Sequence, residues 1–134
     1  MNIQRKHILV VEDDDSLRSC IAQVIQAEEI YDVTQCENGL VALEWLSKNK
    51  MPDLILTDFM MLGRGDDLAV MARKLKIPII MITAAPELAL EAMKKKNIKV
   101  AIMSKPIDIW TILETVDTMT GTNFEKIVTL NIAA

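Results

Sequence analysis

Residues 8–14 read Ile-Leu-Val-Val-Glu-Asp-Asp, four apolar residues followed by three acids. The apolar run from Ile8 to Val11 is too short for a helix, and it lacks the alternation of a half-exposed strand. Such a run predicts a strand that is covered on both faces, as in parallel sheets. Glu12, Asp13 and Asp14 then fall at the carboxyl end of this strand, where open α/β sheets build their sites.

Four further short runs predict the other strands of the sheet. They are Tyr31 to Cys36, Leu54 to Thr57, Ile79 to Ile82 and Val100 to Met103. The last three lead to residues with evident chemistry, which are Asp58, Thr83 and Lys105. Because the carboxyl ends of parallel strands meet at one edge, three carboxylates, a hydroxyl and an ammonium are expected in one crevice. Such a set suits a divalent metal and the acceptance of a phosphoryl group.

Five stretches that follow these strands carry apolar residues at helical spacing. The predicted helices begin near Ser16, Leu40, Asp67, Pro86 and Ile109, and the last one ends near Gly121. Asp15 or Ser16 is the expected cap of the first helix. Strands that alternate with helices, without an internal repeat, predict an α/β fold with a doubly wound parallel sheet.

Length and composition indicate one globular domain. The chain has 134 residues, of which 51% are hydrophobic and 25% are charged, and a chain of this size can bury its own core. Residues 1–121 are predicted to form the domain, whereas residues 122–134 suit a helix or a strand equally and their structure stays open. A net charge of −4 gives no reason to expect nucleic-acid binding. The basic cluster, Lys94, Lys95, Lys96 and Lys99, is interpreted as a solvated helix end.

The sequence shows no sign of export or of membrane insertion. Cys20 and Cys36 are too few for a disulfide framework and are expected to be buried in a reducing compartment. Residues 1–7 contain no apolar stretch of signal-peptide length, and no apolar run approaches membrane-spanning length. His7, the one histidine, is expected to be a solvated residue before the first strand. These features predict a soluble cytoplasmic protein.

Several motifs, taken in order, resemble those of response-regulator receiver domains, the phosphoacceptor half of two-component signalling. They are Val10-Val11-Glu12-Asp13, Glu37-Asn38-Gly39 with Ala42-Leu43, Pro52-Asp53-Leu54-Ile55 leading to Asp58, Pro78 through Thr83-Ala84, and Ser104-Lys105-Pro106. Each motif alone is weakly specific, but together they cover about residues 6 to 120 in the family's order. The resemblance implies a flavodoxin-like sheet of strand order 2-1-3-4-5 flanked by five helices. It also implies a cis Lys105–Pro106 peptide bond.

The resemblance assigns roles to the acids at the strand ends. Asp58 is the expected phosphoacceptor, and Glu12 with Asp13 is the acidic pair that holds Mg²⁺. Since Mg²⁺ takes few direct protein ligands, Asp13 and Asp58 are the expected direct ligands, with Glu12 acting through water. The carbonyl of Met60 is the family's backbone ligand. The competing interpretation is that the acids merely cap the first helix, which suits Asp14 or Asp15 but leaves Asp58 unexplained.

Lys105 and Thr83 complete the predicted site. The Lys105 ammonium is expected to share the charge on the phosphoryl oxygens, and the Thr83 hydroxyl is expected to bond one of them. A solvated lysine and a threonine that is present for packing alone are the plain alternatives.

The chain departs from the family in two places. The loop after Asp58 lacks the usual proline at the position of Leu62, and the third helix is expected to be shortened. Ile102 stands where receivers usually carry a tyrosine or phenylalanine whose ring turns inward on activation. Output through the face of the fourth helix, fifth strand and fifth helix must then use another element or be weak.

The leading hypothesis is a Mg²⁺-dependent phosphoacceptor, a phosphoprotein acting as a signalling switch or as a relay in a phosphorelay. It is expected to be no enzyme in the ordinary sense, although it would catalyse its own phosphotransfer and autodephosphorylation. The expected partners are a sensor histidine kinase or phosphotransfer protein and a downstream protein target, without nucleic acid or membrane. A monomer or a weak homodimer is expected.

Two alternatives remain beside this hypothesis. The first is a receiver-fold protein-binding module that signals without phosphorylation. The second, an unrelated α/β hydrolase or phosphatase, is disfavoured because the chain has no second acid two residues after Asp58 and no Gly-x-Ser-x-Gly motif.

Overall fold

The computed structural model describes residues 5–63 and 65–121, in which five strands alternate with five helices. The strands are β1 (Lys6–Val11), β2 (Tyr31–Cys36), β3 (Leu54–Asp58), β4 (Ile79–Thr83) and β5 (Ala101–Ser104). The helices are α1 (Asp15–Gln26), α2 (Gly39–Lys48), α3 (Gly65–Leu75), α4 (Pro86–Lys95) and α5 (Ile109–Thr120).

The strands form one parallel sheet in the order β2-β1-β3-β4-β5. The doubly wound sheet and its predicted strand order are therefore confirmed. The chain leaves β1 toward β2 on one side and later returns to place β3 on the other side. Ligands of open α/β sheets bind beside such a reversal, at the carboxyl ends of the strands.

Two apolar layers cover the two faces of the sheet. On β1, Ile8 and Val10 pack on the side of α1 and α5, whereas Leu9 and Val11 pack on the side of α2, α3 and α4. These four side chains are at most 1% exposed. Because successive strand residues point to opposite faces, burial on both faces requires the uninterrupted apolar run that the sequence displays.

Three helices begin earlier than predicted, of which α2 differs by one residue, at Gly39 rather than Leu40. Asp14 is the N-cap of α1, and its side chain accepts a hydrogen bond from the Leu17 N–H, so the choice of Asp15 or Ser16 was wrong. Adjacent acids are equally good caps by type, and only the backbone geometry selects one of them. Helix α3 begins at Gly65 rather than near Asp67, and with 11 residues it is not short beside the other helices of this chain.

Two side chains lie elsewhere than the sequence indicated. Cys20 is exposed on α1, whereas Cys36 is buried as predicted. His7 lies within β1, where its Nε2 is 2.7 Å from the Thr34 hydroxyl and its ring packs edge-on against Trp45. The burial of a lone cysteine and the partners of a lone histidine depend on neighbouring elements, which local sequence does not reveal.

Three further predictions concern the C-terminal tail, membrane-spanning helices and the basic cluster. Residues 122–134 lie outside the described residues, so the tail and the domain boundary near residue 121 stay predictions. Among the helices that the structure describes, none is long and apolar enough to cross a membrane. The basic cluster at the end of α4 is exposed, as expected of a solvated helix end.

Candidate functional site

Glu12 and Asp58 are brought together by the pairing of β1 with β3. Val11 pairs with Thr57 in the parallel register, so the next residue on each strand, Glu12 or Asp58, stands at the carboxyl edge. Both acids are buried, with 3% and 7% of their surfaces exposed. The Glu12 N–H extends the ladder toward β2 by donating to the Cys36 carbonyl at 3.1 Å. The sheet itself therefore places two carboxylates in one small space.

Lys105 reaches these two acids from the end of β5. Its Nζ donates to Glu12 Oε1 at 2.8 Å and to Asp58 Oδ2 at 2.9 Å. Its backbone N–H donates to the Thr83 carbonyl at 2.8 Å, which continues the pairing of β4 with β5. The Lys105–Pro106 peptide bond is cis, as the resemblance implies. The lysine is thus a bridge between two buried carboxylates rather than a solvated side chain.

The bridge changes the acid–base properties of both partners. Burial raises the pKa of Glu12 because it penalises the charged form, and the hydrogen bond from Lys105 only partly offsets this effect. Burial acts to lower the pKa of Lys105, but its hydrogen bonds to Glu12 and Asp58 outweigh burial and raise that pKa. Lys105 gains from two carboxylates, whereas Glu12 has one ammonium and also faces Asp58. Negative charge in the cluster therefore exceeds what Lys105 neutralises.

Asp13 adds the third carboxylate to the cluster. It is exposed, and oxygens of Glu12, Asp13 and Asp58 all lie within 4.8 Å of one another. Two oxygens on opposite sides of one Mg²⁺ are about 4.2 Å apart, so three carboxylates within this range are close enough to serve one ion. Which of the three bind it directly stays a prediction. The donor set, which consists of hard oxygens, fits Mg²⁺.

The loop after β3 holds the second oxygen of Asp58. The Met60 N–H donates to Asp58 Oδ1 at 3.3 Å, while Lys105 occupies Oδ2. Met60 is 54% exposed, whereas Phe59 before it is buried. The carboxylate is thus oriented from two sides, and the role of the Met60 carbonyl as a metal ligand stays a prediction.

Thr83 ends β4 beside this cluster. Asp58 pairs with Ile82 across the sheet, so Thr83 lies one residue further along the neighbouring strand. Its side chain is buried, and its Oγ1 accepts a hydrogen bond from the Ala85 N–H at 3.0 Å. A hydroxyl that accepts one bond can still donate another, which is what the predicted contact with a phosphoryl oxygen needs.

Sequence reasoning missed two features of the site. Arg18 donates from Nη1 to the Glu12 carbonyl at 2.8 Å. Gly39 and Gly63 approach so closely that a Cβ on Gly39 would lie 1.6 Å from the Gly63 carbonyl oxygen. The spacing of Asp15 and Arg18 did signal an ion pair on one helix face, but no local pattern shows that the arginine reaches back beyond the helix start.

Ile102 lies on β5 at the position where an aromatic residue was expected. It is partly buried and packs against the apolar layer on the side of α2, α3 and α4. Together with other apolar side chains it lines a groove of about 500 Å³, and these neighbours are Leu90, Met93, Ile98 and Val100. The surface beside β5 is therefore an apolar groove with no aromatic ring at residue 102.

The sequence matches the family described as the response regulator receiver domain over residues 8–117. Because the match spans most of the chain, this protein belongs to that family. It is a receiver domain of the kind found in two-component response regulators. Such domains bind Mg²⁺ in an acidic pocket, and the carboxylate cluster of this chain fits such a pocket.

Curated relatives are longer proteins of the same kind. The DNA-binding response regulator MtrA of Mycolicibacterium smegmatis is 35% identical over 86 residues, which cover 63% of this chain and 37% of that protein. The heme response regulator HssR of Staphylococcus haemolyticus is 34% identical over 83 residues, covering 60% of this chain and 36% of that one. The matched region thus spans little more than a third of each relative.

Solved receiver domains share the fold. A CheY-like receiver domain protein from Methanospirillum hungatei has a TM-score of 0.78 at 23% identity, with 92% of this chain and 99% of that chain covered. The response regulator TrrA from Thermotoga maritima, solved in complex with Mg²⁺–BeF, has a TM-score of 0.72 at 28% identity, with 85% and 98% covered. The first likeness shows the fold, and the second is to a receiver crystallised with Mg²⁺.

Proposed function

We propose that this domain is a Mg²⁺-dependent phosphoacceptor, phosphorylated on Asp58 by a sensor histidine kinase or a phosphotransfer protein. One observation carries the proposal: the Lys105 ammonium bridges Glu12 and Asp58 beside the exposed Asp13. Three carboxylates with a single ammonium carry an excess of negative charge that a divalent cation can neutralise. Phosphoryl transfer relies mainly on positioning and on neutralising charge. The domain then acts as a signalling switch or relay.

Each residue of the site has a separate role in the proposed phosphoryl transfer. An oxygen of Asp58 forms a bond to phosphorus while the bond from phosphorus to the donor's imidazole nitrogen breaks, and that nitrogen keeps the electron pair. Asp13, Asp58 and the Met60 carbonyl, with Glu12 acting through water, would hold Mg²⁺, and the bound ion would supply positive charge beside the phosphoryl oxygens. Lys105 donates hydrogen bonds to the same group and stays charged at neutral pH because the pKa of this lysine is raised.

Thr83 contributes a further donor to the phosphorylated form. We propose that its hydroxyl bonds a phosphoryl oxygen once Asp58 is esterified, while the Ala85 N–H fixes the position of Oγ1. The later loss of the phosphoryl group to water is the domain's own reaction. In this proposal the protein has no separate substrate to turn over and functions in signalling.

Intact mass after incubation with a small acyl phosphate and Mg²⁺ tests the proposal. We expect the wild-type protein to gain the mass of one phosphoryl group and the Asp58→Asn variant to gain none. Asp66→Asn is the matched control, since Asp66 is also a buried aspartate, at 8% exposed, outside the carboxylate cluster. No added mass in the wild type, or an addition retained in Asp58→Asn, contradicts the proposal.

A phosphorylation-independent binding module is the second candidate, and Ile102 is the observation that favours it. An isoleucine has no ring to turn inward, so the groove beside β5 lacks the side-chain movement through which receivers usually respond to phosphorylation. In this second function the groove binds its partner whether or not Asp58 is esterified. If a downstream protein binds with equal affinity with and without the phosphodonor, this second function replaces the first. A loss of binding without phosphodonor supports the switch.

The partners and the cellular setting follow from the proposed role. Donor and target are proteins, whereas the absence of a nucleic-acid partner stays a prediction, since MtrA is described as DNA-binding and this chain spans only part of its length. The cytoplasmic location and the monomeric or weakly dimeric state are likewise predictions.

A further inference from the structure

Arg18 lies in the first turn of α1, next to the backbone of the carboxylate cluster. Its Nη1 donates to the Glu12 carbonyl at 2.8 Å, and its Nη2 donates to Asp15 Oδ1 at 2.6 Å. The Arg18 side chain is 16% exposed, whereas that of Asp15 is 84% exposed. Most of the Arg18 side chain is therefore buried, and its guanidinium links Asp15 of the helix start to the backbone of a site residue.

The backbone of Glu12 is held at both of its polar atoms. Its N–H donates to the Cys36 carbonyl at 3.1 Å, and its carbonyl accepts from Arg18 at 2.8 Å. The Glu12 carbonyl and the Asp13 N–H belong to one planar peptide unit. A guanidinium that fixes the Glu12 carbonyl therefore also fixes the orientation of the Asp13 N–H.

We propose that Arg18 is a positioning residue for the metal site. It holds the Glu12–Asp13 peptide so that the exposed Asp13 carboxylate stays close to Glu12 and Asp58 before a cation arrives. Groups that orient metal ligands in this way commonly contribute 10- to 100-fold in metal affinity. The inference rests on the proposed function, because it concerns the same Mg²⁺ site.

The charge of Arg18 acts in the opposite direction to its hydrogen bond. A cation beside a metal site repels the metal, so loss of the charge alone would tighten Mg²⁺ binding. Loss of the hydrogen bond that positions the Glu12 carbonyl would weaken Mg²⁺ binding. The charge of Arg18 is paired with the Asp15 carboxylate at 2.6 Å, and this pairing offsets much of the repulsion that Arg18 would exert on a cation. The positioning effect is therefore expected to be larger. The sign of the change separates the two roles.

Titration calorimetry with MgCl₂ on the whole chain tests the inference. The variants are Arg18→Ala and Arg18→Lys, of which the second keeps the charge but replaces the planar fork with a compact ammonium. Arg73→Ala is the matched control, because Arg73 Nη1 also donates to a backbone carbonyl, that of Asn97 at 2.9 Å, near the opposite edge of the sheet. We expect Mg²⁺ to bind about tenfold more weakly to both Arg18 variants and with unchanged affinity to Arg73→Ala.

A kinetic measurement distinguishes positioning from general damage. With a small acyl phosphate, the Arg18→Lys protein should need more Mg²⁺ for half-maximal phosphorylation but reach nearly the wild-type rate at saturating Mg²⁺. A lower rate at saturation indicates structural damage and overturns the inference, and so does an Arg18→Ala protein that binds Mg²⁺ as tightly as the wild type or more tightly. Failure of the wild-type protein itself to bind Mg²⁺ contradicts the proposed function instead.

Discussion

Lys105 is the residue that makes the carboxylate cluster compatible with a folded protein in the absence of metal. Two buried carboxylates side by side repel, and burial penalises each charge. A single ammonium at 2.8 Å and 2.9 Å from Glu12 and Asp58 offsets much of this cost. Its side chain remains 24% exposed, so the ammonium can shift when a phosphoryl group or a cation enters.

Replacement of Lys105 by alanine should therefore destabilise the metal-free protein. We expect the free energy of unfolding to fall by about 2 kcal/mol, because two buried carboxylates lose their counter-charge. Added Mg²⁺ should restore more stability to this variant than to the wild type, since the cation then supplies the missing charge. Urea unfolding with and without MgCl₂ measures both effects.

Lys95→Ala is the control for that experiment. Lys95 also pairs with a glutamate, Glu91 at 3.5 Å, but the two side chains are 76% and 64% exposed. Exposed pairs contribute about 0.5 kcal/mol or less. Equal losses of unfolding free energy in the two variants would show that the Lys105 bridge contributes no more to stability than an exposed ion pair does.

The two cysteines offer a second test at the scale of single residues. Burial raises the pKa of Cys36 to about 11, whereas Cys20 is exposed. At pH 8 roughly one Cys36 thiol in a thousand is a thiolate, and the thiolate is the reactive form. Iodoacetamide should therefore add once to the native protein and twice after unfolding, as read by intact mass. The native Cys20→Ser variant should remain unmodified, and rapid alkylation of that variant would contradict the burial of Cys36.

At the scale of elements, the loop after β3 is fixed by contact with α2. The Gly39 N–H donates to the Leu62 carbonyl at 3.0 Å, and Gly63 has a φ of 63°, a left-handed conformation that glycine adopts freely. The same loop delivers the Met60 N–H to Asp58. Helix α2 thereby supports the site although it contributes no side chain to it.

Substitution of Gly39 by alanine should disturb this contact. A Cβ 1.6 Å from the Gly63 carbonyl oxygen cannot be accommodated unless the loop moves, so we expect a loss of about 2–3 kcal/mol in unfolding free energy. Gly121→Ala is the control, because among the described residues a Cβ there meets nothing within 4 Å, whereas its φ of 75° opposes alanine. That strain costs about 1 kcal/mol. Similar losses in the two variants would argue against the tight contact.

At the scale of the whole molecule, Mg²⁺ binding should couple to folding and to pH. At a Mg²⁺ concentration ten times its dissociation constant, the folded state gains about 1.4 kcal/mol. The pKa of Glu12 is raised by burial, so the folded protein takes up this proton at a higher pH than the unfolded chain. Ionised Glu12 therefore lowers stability at neutral pH. This cost declines as the pH falls from the raised pKa to the ordinary value of 4.5 in the unfolded chain, and it is absent below that value.

The pKa of Glu12 lies above the ordinary glutamate value of 4.5, so Glu12 is mostly protonated by the time the pH has fallen to 4.5. The stabilisation by Mg²⁺ should consequently shrink between pH 7.5 and pH 4.5, because a protonated Glu12 no longer attracts the cation. Urea unfolding at the two pH values, each with and without MgCl₂, measures the difference. The Glu12→Gln variant should show a smaller Mg²⁺ effect that varies less with pH. A stabilisation that is equal at both pH values in the wild type would contradict the role of Glu12.

Much of the fold was predictable because the central strands of the sheet are buried on both faces. Runs such as Leu54 to Leu56 are uniformly apolar for that reason, and their short length indicates strands. The boundaries were less certain, as Asp14 and Gly65 show, because neighbouring polar residues compete equally for helix ends. Arg18 and the Gly39–Gly63 contact were not predictable, since both depend on how distant segments approach each other.

By itself the sequence determined the order of strands and helices, the apolar faces that build the two layers, and the residue types available at the strand ends. Only the tertiary structure decided that Lys105 binds two acids at once and that an arginine of α1 holds the backbone of Glu12. Periodicity is a property of consecutive residues, so it is visible in the chain. The charge balance of the site depends on distances between residues up to 93 positions apart in the sequence, and packing of the helices on the twisted sheet sets those distances.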